Sequence, residues 1–151
     1  MKRNHLHICL YQPEIPQNTG TIGRLVAATQ CRLHLIRPFG FSISDKNLRR
    51  AGLDYWPYLD LEIHDTLENF LSLFPCSQFA FISKKADKPY TAIPTKSKCL
   101  IFGRETSGLP GSLWEKYPEQ FYSIPMFHQG VRSLNLANAV SIVSYHLLLA
   151  N

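Results

Sequence analysis

The chain contains the stretch Cys99-Leu-Ile-Phe-Gly-Arg-Glu-Thr-Ser-Gly-Leu-Pro110, in which an apolar run meets a loop rich in glycine and charge. The first four residues of this stretch form an unbroken apolar run, which is typical of a strand buried on both faces of a parallel sheet. Gly103 ends this run, and Arg104 and Glu105 then place both signs of charge at the carboxyl end of the predicted strand. Ligands of open α/β sheets bind at that end of the strands, so the stretch predicts a ligand-facing loop. The alternative is an ordinary strand-to-helix turn.

Apolar strand-like runs and amphipathic segments alternate along the whole chain. The predicted strands are Leu6 to Tyr11, Leu33 to Ile36, Leu59 to Ile63, Phe79 to Ile82, Cys99 to Phe102 and Phe121 to Ile124. The predicted helices run from Asn18 or Thr19 to Thr29, from about Ser42 to Ala51, from Asp65 to Phe74, from Pro110 to Tyr117, and from Ser133 onward. This order predicts a single α/β domain over residues 1–151, with a mostly parallel sheet and helices on both faces.

Composition limits the class of protein and of partner. The chain has 45% hydrophobic and 18% charged residues, which is typical of a globular domain. A net charge of +5 and an isoelectric point of about 9.1 favour an anionic partner, nucleic acid first. The four cysteines include no C-x-x-C pair, which favours a reducing, cytoplasmic compartment without disulfides. No segment is typical of a signal peptide or a membrane span.

The end of the chain is unusually poor in charge. From Ser133 onward it contains no Lys, Arg, Asp or Glu. A helix without a charged face is expected to be buried all round. It would bury its second face either inside a core or against a second subunit, and the sequence leaves both possibilities open.

Several polar residues could carry chemistry. Arg24 lies in an apolar helix, where an arginine needs an anionic partner, and Asn18 stands at the start of the same helix. A surface arginine and a plain helix cap are the alternatives. Further along, basic residues precede an aromatic residue, a combination that can hold phosphates and stack bases but also fits a solvated helix face. These candidate substrate-binding residues are Lys46, Arg49, Arg50 and Tyr55.

The sequence offers no recognisable metal or nucleophile motif. The six histidines have no metal-ligand spacing. His5 and His7 share a strand face but lack a third ligand nearby, so no metal is expected. There is no Gly-x-Ser-x-Gly nucleophile motif either.

Three segments taken together resemble the SPOUT superfamily of RNA methyltransferases. They are Asn18 to Arg24, Ile101 to Pro110, and Ile124 to Met126 with Ser133 to Asn138. Within that superfamily, Tyr11 to Gly20 and Asp45 to Tyr55 are similar to the TrmL (YibK) type of tRNA 2′-O-methyltransferase. Those enzymes act on the wobble cytidine or uridine. The resemblance covers nearly the whole chain.

The resemblance implies a fold and a set of partners. The carboxyl-terminal part would be tied in a trefoil knot, S-adenosylmethionine would be bound by the knot loops, and two chains would form a homodimer through their terminal helices. The RNA partner would be the anticodon stem-loop of tRNA, with leucine isoacceptors as the expected substrates. No metal is required.

The resemblance also implies roles for individual residues. Arg24 matches the catalytic arginine, with polar active-site partners at Asn18, Glu105 and Asn135 and a helix tyrosine at Tyr145. The cofactor-binding positions are Ile82, Gly103, Ile124, Met126, Ser133 and Leu134. Two departures concern substrate detail: Ala137 stands where relatives often carry Ser, and His128 to Val131 is unlike the usual loop.

Two functions of other classes compete with methyl transfer. A non-catalytic RNA-binding or assembly module could keep the same fold, but the intact set of Arg24, Glu105 and Asn135 speaks against it. A flavodoxin-like nucleotide-binding protein would need phosphate-loop glycines. Gly108 is followed by Leu109-Pro110, and the chain has no G-x-G-x-x-G motif.

Overall fold

The computed structural model describes residues 6–42 and 55–150. The predicted helix that ends at Ala51, with the candidate residues Lys46, Arg49 and Arg50, lies outside these ranges. The strands are β1 (His7–Tyr11), β2 (Arg32–Ile36), β3 (Leu61–His64), β4 (Phe79–Ile82), β5 (Cys99–Phe102) and β6 (Phe121–Tyr122). The helices are α1 (Pro16–Thr29), α2 (Leu67–Leu71), α3 (Ser112–Lys116) and α4 (Leu136–Leu149). Single 3-10 turns are found at Trp56–Tyr58, Cys76–Gln78 and Tyr90–Ala92.

Within the described ranges the strands form one sheet in the order β3-β2-β1-β5-β4-β6. Every neighbouring pair is parallel. From β1 the chain proceeds outward through β2 and β3, whereas the later strands lie on the other side of β1. The strand order therefore reverses between β1 and β5, which makes this the switch point at which ligands of such sheets bind.

The sheet separates two apolar cores, as the alternation of side chains along a strand requires. On one face, Leu100 and Phe102 of β5 belong to the same cluster as Ile22 of α1 and Val140 of α4. On the other face, Ile101 packs in a cluster that includes residues of α2 and α3, among them Phe70 and Leu113. Helices thus cover both faces, and the predicted α/β class is confirmed.

Some helix boundaries differ from the sequence prediction because of how the helices are capped. Helix α1 begins at Pro16, two residues before Asn18, because proline is preorganised for the first helical position. Asn18 is consequently inside the helix and is not its cap. Helix α2 is capped by Thr66, whose hydroxyl accepts a hydrogen bond from the backbone N–H of Asn69 (3.1 Å), and not by Asp65.

Helix α4 is buried on one face only within a single chain. Val140 and Val143 are fully buried in the core shared with α1, whereas Tyr145 is 45% and Leu149 81% exposed. Of the two places predicted for the second face of this helix, the core of its own chain is therefore wrong. The helix supplies core packing and also presents an uncharged outer face. None of the helices in residues 6–42 and 55–150 combines the length and apolar character needed to cross a membrane.

Candidate active site

A crevice of about 1000 Å³ lies at the carboxyl ends of the central strands. Ile15 and Asn18 line it from the start of α1, and residues 102–109 line it from the end of β5 and the loop that follows. Its remaining walls include residues 83–85 after β4 and residues 132–136 at the start of α4. The ligand-facing loop predicted from Cys99 to Pro110 is therefore placed at the switch point of the sheet.

The loop after β5 is closed by its own backbone. Arg104 and Gly108 exchange both backbone hydrogen bonds, at 3.1 and 3.0 Å, and Gly108 has a φ of 71°. A Cβ atom added at Gly103 would lie 2.3 Å from the carbonyl carbon of Gly108. Such a contact is far below any normal carbon–carbon separation, so Gly103 must be glycine for the loop to fold back on itself. Close backbone approach, which the glycine at 103 was predicted to permit, is therefore an approach of the loop to itself.

The carboxylate of Glu105 joins this loop to the start of α1. It accepts hydrogen bonds from the backbone N–H of Glu14 (2.9 Å) and of Ile15 (2.8 Å). The side-chain amide of Asn18 donates a third hydrogen bond to it, at 3.3 Å. An anion beside the amino end of a helix is favoured by the helix dipole. Glu105 therefore holds the loop after β5 against the start of α1 through three hydrogen bonds to its carboxylate.

Glu14 makes the reciprocal connection. Its carboxylate accepts hydrogen bonds from the backbone N–H (3.0 Å) and the hydroxyl (2.7 Å) of Thr106, and it lies 3.4 Å from the guanidinium of Arg104. The hydrogen bonds from Thr106, with a smaller contribution from Arg104, lower the pKa of Glu14. Two glutamates thus fasten the loop after β5 to the segment before α1.

The start of α4 is attached to the same network. The side-chain oxygen of Asn135 accepts hydrogen bonds from the backbone N–H of Ala137 (2.9 Å) and Asn138 (3.2 Å), so Asn135 caps the helix. Its side-chain nitrogen donates to the side-chain oxygen of Asn18 (2.9 Å). The structure therefore brings three of the predicted polar site residues, Asn18, Glu105 and Asn135, into one hydrogen-bonded chain.

The predicted cofactor residues all line the crevice. They are Ile82, Gly103, Ile124, Met126, Ser133 and Leu134. Apolar side chains with a few polar groups are typical of small-molecule sites, and the volume lies at the upper end of the usual range for them. The walls therefore suit a ligand that combines an aromatic base with a polar chain. Sequence reasoning did not assign Lys85, Trp114 or Arg132 to this crevice, although all three line it.

Arg24 does not line the crevice of its own chain. It lies about 1.7 turns beyond Asn18 at about 3.6 residues per turn, and therefore on a different face of α1. Its guanidinium carbon is 5.4 Å from the centre of the Tyr55 ring. Tyr55 is only 6% exposed, and its hydroxyl donates to the carbonyl oxygen of Gly20. This burial leaves Tyr55 little surface on which to stack a base, and it packs against α1 beside Arg24.

Tyr145 also lies apart from the crevice lining, on the outer face of α4. The predicted catalytic set is thus divided between two places in one chain. Asn18, Glu105 and Asn135 lie at the crevice, whereas Arg24 and Tyr145 are on helix surfaces away from its walls.

The fold and the crevice define an α/β protein with a cavity of small-molecule size at the switch point of a parallel sheet. The sequence matches the family described as "SpoU rRNA Methylase family" over residues 5–145. This chain belongs to that family.

Individual relatives agree with this assignment. A Bacillus subtilis (strain 168) protein, provisionally named tRNA (cytidine(34)-2'-O)-methyltransferase, is 46% identical over 147 residues, which cover 95% of this chain and 91% of that protein. A solved structure described as "Structural insights into the 2-OH methylation of C/U34 on tRNA" is 42% identical with a TM-score of 0.85, covering 97% of each chain. The fold is also that of the methyltransferase AviRb from Streptomyces viridochromogenes, solved with AdoMet. It has a TM-score of 0.80 at 20% identity, and the match covers 99% of this chain and 62% of that one.

Proposed function

We propose that this chain transfers a methyl group from S-adenosylmethionine to the ribose 2′-hydroxyl of nucleotide 34, a cytidine or uridine, in tRNA. The observation that carries the proposal is the crevice at the switch point. Six predicted cofactor residues line it, and the polar chain of Asn18, Glu105 and Asn135 closes one side. Relatives named for this activity match almost the full length of the chain.

The donor set fits the proposed cofactor. Ile82, Ile124 and Leu134 offer apolar surface for an adenine ring, and the adjoining loops offer backbone groups for its nitrogen atoms. Arg132 and Lys85 offer positive charge for a carboxylate. When bound, S-adenosylmethionine would supply a methyl group on a positively charged sulfur. The protein would hold this donor and the ribose oxygen in line, and alignment of this kind accounts for much of the rate of such displacements.

Glu105 and the two asparagines act by positioning. The carboxylate of Glu105 already accepts three hydrogen bonds from N–H groups. They join the loop after β5 to the start of α1, and the hydrogen bond from Asn135 to Asn18 (2.9 Å) adds the start of α4 to the same network. We assign these residues to preorganisation of the site, and we do not assign the ribose proton to Glu105.

Arg24 supplies electrostatic activation on the nucleotide side. A guanidinium can bind the neighbouring phosphate and stabilise charge that develops on the ribose oxygen, but it is a poor base because it stays protonated. A cation beside the sulfonium of the cofactor would be repelled, so Arg24 is assigned to the nucleotide and not to the cofactor. We infer that Arg24 and Tyr145 serve a site completed by a second protomer.

The proposed homodimer gives the outer face of α4 a partner. Ile142, Tyr145 and Leu149 are 37%, 45% and 81% exposed, and no charged side chain lies among the residues of this helix apart from the titratable His146. An uncharged, partly apolar face is suited to a subunit interface. We also expect the carboxyl-terminal part of the chain to form the trefoil knot that the family resemblance implies.

Exposed residues at the mouth of the crevice suit single-stranded RNA. Lys84 and Arg132 are exposed there, and Phe127 is 99% exposed on the loop between β6 and α4. Cations that follow a phosphate backbone and an aromatic ring that stacks on a base are the usual elements of such surfaces. The anticodon stem-loop of tRNA, with leucine isoacceptors as the first substrates to examine, is therefore the proposed partner in the cytoplasm.

Two measurements test the proposal against its alternative. Calorimetric titration should show S-adenosylmethionine binding, and incubation of the protein with this donor and total tRNA should add a 2′-O-methyl group that maps to nucleotide 34. Binding of both ligands without methyl incorporation would support the non-catalytic RNA-binding module instead. The modified isoacceptors would be identified in the same mapping.

A further inference from the structure

A row of histidines crosses the sheet on the face covered by α2, and none of its members lines the crevice. His7 of β1, His34 of β2 and His64 of β3 follow one another, and Glu62 of β3 lies opposite His34. The ring of Phe70 packs against His34 and His64, with centroids 4.7 and 5.6 Å away. His34 is 1% and His64 7% exposed.

Three donor atoms of this row converge. Nδ1 of His34 is 2.9 Å from Nε2 of His64 and 4.0 Å from Oε2 of Glu62, and all three atoms lie within 4.8 Å of one another. Bonds of about 2.0–2.1 Å from zinc to nitrogen or oxygen, in tetrahedral geometry, would place such atoms roughly 3.3 Å apart. The two nitrogens are thus slightly closer together than in a tetrahedral site and the carboxylate is slightly farther away, so both distances must change when an ion binds.

We propose that His34, Glu62 and His64 form a binding site for a divalent transition-metal ion, Zn²⁺ in preference to Mg²⁺. Two imidazoles and one carboxylate are a ligand set that suits zinc, whereas magnesium prefers oxygen ligands. The ion takes the place of the proton that His34 and His64 otherwise share. Water completes the coordination.

The ring of His34 is held by a neighbouring histidine on each side. Its Nδ1 faces Nε2 of His64 at 2.9 Å, on the side toward Glu62. Its other nitrogen, Nε2, is 2.9 Å from Nδ1 of His7. When Nδ1 of His34 binds the metal, its Nε2–H donates a hydrogen bond to Nδ1 of His7. Such a hydrogen bond from the second ring nitrogen fixes the orientation of a histidine ligand in established zinc sites.

Glu62 can turn to the metal without leaving an unpaired charge behind. Arg32 contacts Glu62 (3.2 Å) and also Asp60 (3.2 Å), so Asp60 retains the arginine. The side chain of Glu62 is 38% exposed on the edge strand β3, which gives an ion and its water a route from solvent.

Metal titration of the full chain tests this site without reference to methyl transfer. The protein, carrying Cys76→Ser to remove the exposed thiol, is stripped with a chelator and titrated with Zn²⁺ in competition with a chromophoric chelator, and separately with Co²⁺. We expect one equivalent of Zn²⁺ per chain and a visible Co²⁺ spectrum of tetrahedral intensity without thiolate bands. Glu62→Gln should weaken Zn²⁺ binding by more than about tenfold, because even loss of an outer-shell partner costs that much.

Matched variants make the result decisive. His128→Gln removes an exposed histidine elsewhere and should leave the titration unchanged. His64→Gln should abolish the equimolar site. If that variant does not fold, the partly exposed Glu62→Gln carries the test alone. Absence of equimolar binding in the parent chain, or its persistence in folded Glu62→Gln, would overturn the proposal.

Discussion

At the residue scale, the proposed chemistry depends most on Arg24. Arg24→Ala should lower single-turnover methyl transfer by roughly a hundredfold or more, as for loss of a preorganised electrostatic donor. Affinity for S-adenosylmethionine should be unchanged, because Arg24 is proposed to act on the nucleotide and not on the cofactor. Arg24→Lys should restore part of the rate, since a point charge cannot reproduce the planar guanidinium.

The control for Arg24 is Arg37→Ala, which removes an exposed arginine paired with Asp65 at 3.1 Å on another part of the surface. This variant should retain full activity. Full activity of Arg24→Ala would contradict the mechanism. Loss of cofactor binding by that variant would instead show that Arg24 contacts S-adenosylmethionine.

Glu14 should make stability depend on pH in the acid range. Its pKa in the folded protein is lowered from an ordinary value of 4.5, chiefly by hydrogen bonds from Thr106. A carboxyl with a lowered folded-state pKa contributes stability that is present above its unfolded pKa and is lost as pH falls through the folded pKa. Glu14→Gln should therefore reduce stability at neutral pH and show a smaller further loss below pH 4.5 than the parent. Chemical unfolding across pH 3 to 7 measures the difference, and parallel curves for both proteins would contradict it.

The position of residues in the crevice could be predicted from sequence better than the packing of residues elsewhere in the fold. Asn18, Glu105 and Asn135 belong to motifs that the family resemblance covers, and the structure brings them together. The burial of Tyr55 could not be predicted, because it depends on the close approach of this ring to Gly20 and Gly23 across the fold. Likewise, His34 and His64 show no metal spacing, since only the pairing of β2 with β3 brings them together.

At the scale of elements, the loop after β5 should tolerate no side chain at Gly103. Gly103→Ala would place a Cβ 2.3 Å from the Gly108 backbone, and overpacking of this kind costs about 1–3 kcal/mol. The variant should unfold at a lower temperature and bind S-adenosylmethionine more weakly. Thermal unfolding and calorimetric titration measure the two effects.

Gly111→Ala is the matched control for Gly103. Gly111 also lines the crevice, but an added Cβ there would meet no atom within 4 Å. The control should behave like the parent chain. Equal stability and equal cofactor affinity in the Gly103 and Gly111 variants would show that the loop is not held as described.

Element types could be predicted more reliably than element ends. The buried strand Cys99–Phe102 begins and ends where its unbroken apolar run predicts. The predicted strand from Phe121 to Ile124 is shorter, Phe121–Tyr122, because Ser123 leaves β4 to form an isolated bridge with Pro89. Strand ends depend on such partners in distant segments, which periodicity does not encode.

At the scale of the whole molecule, the outer face of α4 should hold two chains together. Leu149→Glu would place a charge on that face without disturbing the core, since Leu149 is 81% exposed. Sedimentation at micromolar concentration should show a dimer for the parent and a shift toward monomer for the variant. The rate of methyl transfer should fall as the dimer fraction falls, because each site is proposed to use Arg24 of a second protomer.

The control places the same charge elsewhere. Leu73→Glu alters a residue that is 56% exposed after α2, and it should leave the dimer intact. Val140 and Val143 would be poor test positions because both are fully buried in the core of their own chain. A parent chain that sediments as a monomer would contradict the dimer proposal.

Site-resolved methylation of an anticodon stem-loop tests the proposed methyl transfer to the ribose of nucleotide 34. The protein is incubated with S-adenosylmethionine and one of two RNAs that differ only at nucleotide 34, which carries either cytidine or 2′-deoxycytidine. We expect one methyl group on the ribose of nucleotide 34 in the first RNA and none in the second, which lacks the 2′-hydroxyl. Equal methylation of both RNAs, or a methyl group at any other position, would contradict this proposal.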